Sequence, residues 1–217
     1  MENILTAKAN TVLTENQKWF LIVPAWRGFQ SRQGAYNSID KAEKSDGRVK
    51  VNVQGLPVDS NSVISEAQIN SIKYLVDNSI QVREAILRDL LNDYPNAKGI
   101  YEDYMPDITT TEQYKDIIGL SYIHVMSAEK DGFAYTGFQF GCDWDDEHGL
   151  GIMTYKDKIL AIGGADTSFN SWIAYKDNGT SEAMQLKWER DNEILRRSKS
   201  NSAEKVSHKK VWWNFWR

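Results

Sequence analysis

The chain has one cysteine, Cys142, in 217 residues. A lone thiol excludes an intramolecular disulfide and fits a reducing compartment. No apolar run approaches the roughly 20 residues needed to span a bilayer. The N-terminus, Met1 to Lys18, opens with Glu2 and lacks the apolar core of a secretory signal. A cytoplasmic location with no transmembrane segment is therefore expected. No internal repeat is visible. An excess of positive charge is lacking outside the C-terminus: Lys187 to Arg217 holds nine Lys/Arg against four Asp/Glu, a balance of +5, so the rest carries −9. A general nucleic-acid binder would carry its basic face on the folded body, so nucleic acid is not the expected partner. No Lys-Ser/Thr pair with phosphate-loop glycines opens a helix, and no cofactor is expected.

What is present is an ordinary soluble composition, 41% apolar and 26% charged, with a heavy aromatic load of eight Trp and ten Tyr. Such a length can bury a core as one large domain or two small ones. Trp19-Phe20-Leu21-Ile22-Val23 is a β-prone run stopped by Pro24. Val49, Val51 and Val53 alternate with polar residues up to Gly55, so residues 1–60 predict a small N-terminal antiparallel sheet. The period then lengthens. Ser65 with Gln68 is a capping-box pattern, followed by Ile69, Ile72, Leu75 and Val76 at helical spacing. A second helix fits Ile80 to Asn92, closed by Tyr94-Pro95. Residues 61–118 thus predict a helical pair, with a short capped helix from Thr111 to Ile118.

From Leu120 the period returns to two. Asp131-Gly132 between apolar runs predicts a hairpin, and Lys156-Asp157 a second turn. Residues 119–180 accordingly predict an antiparallel β-meander. Residues 181–217 predict a charged helix to Arg197, a polar, mobile stretch from Ser198 to Ser207, and a basic aromatic tail. The fold class expected is α+β.

The densest chemistry is the turn Cys142-Asp143-Trp144-Asp145-Asp146-Glu147-His148-Gly149. Asp143, Asp145 and Glu147 are oxygen donors at alternating positions, as at the start of a calcium loop. The pattern then breaks, because His148 and Thr154 stand where such a loop has glycine and glutamate, so no metal is expected. The structural reading is a turn in which Asp145 or Asp146 bonds the backbone, Trp144 packs inward, and Gly149 and Gly151 take unusual dihedrals or close contacts. His148 could act as a general base if Asp166 oriented it. Cys142 is not a nucleophile candidate, because Asp143 beside it raises the thiol pKa.

The motif pair Trp144-Asp145-Asp146-Glu147-His148-Gly149-Leu150-Gly151 and Gly163-Gly164-Ala165-Asp166-Thr167 resembles that of an uncharacterised bacterial family of domains of unknown function. The resemblance covers roughly residues 19–170, including the Gln68 helix. It implies an α+β, cytoplasmic bacterial domain without assigned activity, from a family found near small proteins that accompany polymorphic toxins.

The favoured function is a non-enzymatic protein-interaction module, an immunity or accessory protein for a toxin. Its candidate contacts are Trp144, Asp145, Asp146, Glu147 and His148 in the turn, with Trp212, Trp213 and Trp216 in the tail. No catalytic residue is assigned. Four large aromatics between Val211 and Trp216 need cover. A second copy, a partner, the chain's own body, a membrane interface or a stacked single strand could supply it. The rival reading is a metal-assisted hydrolase using the Asp143–His148 cluster.

Overall fold

The apolar run after Lys18 and the alternating valines pair with each other as expected, but the sheet they begin does not stop there. The computed structural model describes residues 12–15, 18–34, 37–39, 44–55 and 64–214, with side chains between 19 and 199 of these. By chain contacts it divides into a first unit, Met1–Ala174, and a second, Tyr175–Arg217.

In the first unit, β1 (Val12–Glu15), β2 (Lys18–Ile22) and β3 (Arg48–Val53) run antiparallel. Two helices follow, α1 (Glu66–Asp77) and α2 (Ser79–Tyr101). The chain then enters β4 (Ile118–Lys130), β5 (Phe133–Cys142), β6 (Leu150–Tyr155) and β7 (Lys158–Gly163), an antiparallel meander. The two groups of strands read as separate from the sequence are halves of one seven-stranded sheet, joined where β3 pairs parallel with β4. The physical reason lies in the helices: a parallel pair needs a crossover of a dozen or more residues, and the helical pair supplies it.

The helices cover one face of the sheet. Ile72, Leu75, Val82, Ile86 and Leu90 share a single buried cluster with Ile123, Val125, Phe138, Phe140 and Ile152. The capping box at Ser65 forms as expected, and Gln68 does more than cap. Its side-chain nitrogen donates to Gln54 O and Met126 O (3.0 and 3.1 Å), tying the start of α1 to the ends of β3 and β4.

Three local expectations are corrected. Pro95 does not close α2, which runs on to Tyr101 with the proline inside it. Tertiary bonds outweigh the lost N–H: Tyr94 Oη donates to Pro106 O (3.2 Å) and Lys98 Nζ to Met105 O (2.6 Å). The segment at Thr111–Asp116 is a 3-10 helix, capped by Gln113 folding back on Thr110. In the second unit, after α3 (Ser171–Asp177), a single helix α4 spans Ser181–Asn214. It passes through the serine-rich stretch expected to be a mobile linker. No Gly or Pro lies between Thr180 and Arg217 to stop it. Among the described residues no helix is long and apolar enough to cross a membrane.

The other face of the sheet carries four glycines at which neighbouring segments come close. Gly119 and Gly141 stand opposite each other on β4 and β5. A Cβ on either would overlap the backbone of the segment lying across them: Gln30 O for Gly119 and Asn37 O for Gly141. Further along, a Cβ on Gly137 would overlap Ser168 O, and one on Gly151 would overlap Gly164 O. Backbone therefore packs directly on backbone here, with the 3-10 helix Ala165–Phe169 pressed against β5 and β6.

Candidate functional site

The turn between β5 and β6 is fixed from several sides. Trp144 is only 7% exposed and packs in the core cluster. Asp145 accepts the His148 N–H (2.9 Å), closing the turn, and the same oxygen lies 3.1 Å from His148 Nδ1. His148 O accepts from Ala165 N (2.9 Å), which links the two glycine-flanked motifs. Gly149 takes φ +63°, and a Cβ there would come within 2.8 Å of Phe140 O, so both geometric reasons for glycine hold at this position.

Arg32 holds the turn from outside. Its guanidinium is buried and pairs with Asp143 and, at 3.3 Å, with Asp146. Arg32 Nε donates to Gln30 Oε1 (2.8 Å), while Gln30 Nε2 donates to Asp143 (3.0 and 3.1 Å) and to Asp116 O (2.6 Å). The methylenes of Arg32 fill the space left by Gly119 and Gly141. The glycine pair thus positions the arginine, and the arginine positions the acids.

These bonds decide what each candidate can do. Asp143 faces Arg32 and Gln30, whereas Asp145 faces His148, so the alternating carboxylates point to different partners. Among the described residues no three His, Cys, Asp or Glu side chains group so as to hold a metal ion. The orienting carboxylate of His148 is Asp145 rather than Asp166, although the motif carrying Asp166 does lie beside the turn. Cys142 is fully buried, and its thiol pKa is pushed up to about 12. Burial is the main cause, opposed by the thiol's hydrogen bond to the Asp145 carbonyl and only partly reinforced by the Asp145 charge; the sequence had pointed to Asp143 instead. Trp144 is inside the fold and acts as the anchor of the turn. What the turn offers outward is Asp146 (80% exposed side chain), Glu147 and His148 (74%). The side chains of Trp212, Trp213 and Trp216 lie outside the described residues.

Sequence reasoning missed the neighbour of this turn. The Tyr101 hydroxyl donates to the Asp145 carboxylate, and its own pKa is raised by burial and by that charge. The contact brings the end of α2 beside the acids. There Ile100 and Tyr104 are 65% and 82% exposed, with Glu102 and Asp103 exposed between them. Glu102 takes φ +48°, ending the helix as the chain turns toward Tyr104. No periodicity marks these residues, because they lie in and just beyond the last turn of the helix.

A second polar group lies on the glycine face. His124 is buried, with Nε2 2.9 Å from Gln139 Oε1 and Nδ1 3.4 Å from Asn52 Nδ2. Gln139 can only accept there and Asn52 can only donate, so the neutral ring protonated at Nε2 satisfies both. Burial lowers the His124 pKa, partly offset by the Gln139 bond. A folded-state pKa below the unfolded value of about 6.5 means that the unfolded chain binds the proton first. The stabilisation from neutral His124 is present above that value and is lost as pH falls through it toward the folded pKa. Urea melts between pH 8 and 5 should show stability falling with pH, with a shallower slope in His124→Gln. Equal slopes in both chains would remove His124 as the cause.

A family model described as Domain of unknown function (DUF6985) matches residues 21–169. The match begins in β2 and ends in the 3-10 helix that packs on Gly137, so it takes in the sheet from β2 to β7, both helices and the acidic turn. No curated protein and no solved structure matches the chain.

Proposed function

We propose, for a chain that belongs to the DUF6985 family of domains of unknown function, a non-enzymatic role in binding another protein. The reading extends to a bacterial, cytoplasmic module of the immunity or accessory type that accompanies a polymorphic toxin. The observation that supports it is Tyr104, 82% exposed, at the end of α2 where Ile100, Glu102 and Asp103 are also exposed and Tyr101 meets the acidic turn. Large aromatics close to the centre of a patch are the usual energetic anchors of an interface. Glu102, Asp103, Asp146 and Glu147 around them favour a basic partner and would steer its approach. His148 sits at the edge of the same group. The turn that presents the acids is held by Trp144, Arg32 and Asp145, so little ordering entropy is lost on contact.

The test uses the product of the adjacent gene as candidate partner, with affinity measured by titration calorimetry. Tyr104→Ala is expected to weaken binding at least tenfold. Asp146→Lys with Glu147→Lys should slow association and flatten its dependence on salt. Normal binding by both variants removes this face from the interface. No binding by the unaltered chain removes the immunity reading.

A further inference from the structure

The junction between α3 and α4 is Asn178-Gly179-Thr180, and it holds the only Asn-Gly pair in the chain. Gly179 takes φ +76° just past the end of α3, the seat that glycine commonly fills after a helix. Thr180 N donates to Tyr175 O (2.9 Å) across that end, and Thr180 O accepts from Met184 N (3.0 Å) in the first turn of α4. The Asn178 side chain is turned onto the same residue. Its Oδ1 accepts from Thr180 N (3.1 Å) and from Thr180 Oγ1 (2.6 Å). Gly179 and Thr180 are exposed, and a Cβ at Gly179 would meet nothing within 4 Å.

The bond from the Thr180 N–H is that of an ordinary Asx turn. The shorter bond from the hydroxyl is more than the turn needs. Two donors on one carbonyl oxygen are the arrangement that stabilises negative charge developing there. The nearest backbone nitrogen after that carbonyl is Gly179 N, which no side chain of its own shields. We propose that Asn178-Gly179-Thr180 is a self-modification site, at which Asn178 cyclises onto Gly179 N and reopens as aspartate or isoaspartate, with Thr180 holding the oxyanion. In the first step hydroxide takes the Gly179 N–H proton and the nitrogen attacks Asn178 Cγ. A C–N bond forms, charge collects on Oδ1 between the two Thr180 donors, and the Cγ–Nδ2 bond breaks. Ammonia leaves with a proton from water. One water then opens the five-membered ring. Opening at Cγ leaves aspartate in an ordinary main chain, and opening at the Asn178 main-chain carbonyl leaves isoaspartate, one methylene longer. Nothing is oxidised or reduced. Aspartate places a negative charge just before α4, where the helix dipole favours it, and keeps an acceptor for the Thr180 N–H.

The full chain, kept in warm and mildly alkaline buffer, is followed by peptide mass spectrometry. The readout needs no partner, so it stands apart from the Tyr104 face. Asn178 is expected to gain about 1 Da, one water in and one ammonia out, about tenfold or more faster than Asn192 within α4. Thr180→Val keeps the N–H and loses the hydroxyl, and should slow the gain by about threefold or more. Thr180→Ser should restore the rate. Asn178→Asp should show no gain and should elute from anion exchange with the aspartate product. A gain at Asn178 no faster than at Asn192 overturns the proposal. Equal rates in the unaltered chain and in Thr180→Val overturn the part given to Thr180. Release of a fragment ending at Asn178 would mean that Nδ2 attacks the main-chain carbonyl instead, and would overturn the cyclisation onto Gly179.

Discussion

Gly137→Ala is expected to lower stability by about 3 kcal/mol or more, a loss of roughly 6–12 °C in Tm. One methyl group normally has little effect on a strand, and an alanine is usually tolerated better than a glycine. Here the added Cβ would overlap the carbonyl oxygen of Ser168, itself fully buried. A carbonyl in a hydrogen-bonded 3-10 segment cannot swing aside as a side chain would. The Ala165–Phe169 helix must lift off β5, or β5 must bend. Gly151→Val should act similarly through Gly164 O. The control is Gly99, in α2, where a Cβ meets nothing within 4 Å. Gly99→Ala should stabilise by about 0.5–1 kcal/mol, the ordinary helix preference. Thermal melts of the three variants decide the matter. If Gly137→Ala melts like the unaltered chain, the close packing on the second sheet face is wrong.

Arg32→Ala is expected to cost about 2 kcal/mol, with loosening of the acidic turn. Removing one member of a buried ion pair can cost more. The acids left behind here are partly or largely in solvent, 40% for Asp143 and 80% for Asp146, so water replaces much of what is lost. The remaining cost comes from the Nε bond to Gln30 and from the empty space over Gly119 and Gly141. Asp146→Asn should be within about 0.5 kcal/mol of the unaltered protein, as surface substitutions usually are. Urea denaturation measures both effects, and amide exchange of Trp144 to Gly149 measures the loosening. An Arg32→Ala chain with unchanged stability and exchange would mean that the turn is held by Asp145 and Trp144 alone.

Local chemistry made much of the fold legible. Asp131 and Gly132 both take positive φ, 49° and 75°, as an Asp-Gly hairpin requires. Ser65 and Gln68 close the helix start that their spacing announced. Alternation at Val49, Val51 and Val53 identified a strand, yet alternation says nothing about which strand lies next to it. The parallel join to β4 was therefore hidden, although the helical pair needed for it was in view. Proline rules describe the chain without its tertiary bonds, which is why Pro95 misled. At the site, the composition of the turn was plain, and of the two readings of Trp144 the inward-packing one fits its burial, whereas its place among the candidate contacts does not. The restraint of the turn was not legible, since Arg32 and Asp143 are 111 residues apart. The glycines opposite Arg32 could be read as close contacts only once the segment crossing them was known.

The burial of Cys142 turns the chain's only thiol into a built-in clock. The sulfur lies under the acidic turn, 3.5 Å from Asp145 O, at the end of a strand in the middle of the sheet. A thiol with its pKa near 12 and no solvent contact reacts with an alkylating reagent only after this end of the sheet has opened. With no other cysteine to react, the modification rate of the unaltered protein reports the open population of this end of the sheet, and at high reagent concentration the opening rate itself. The excursions of the turn can then be timed without adding a label or changing a residue.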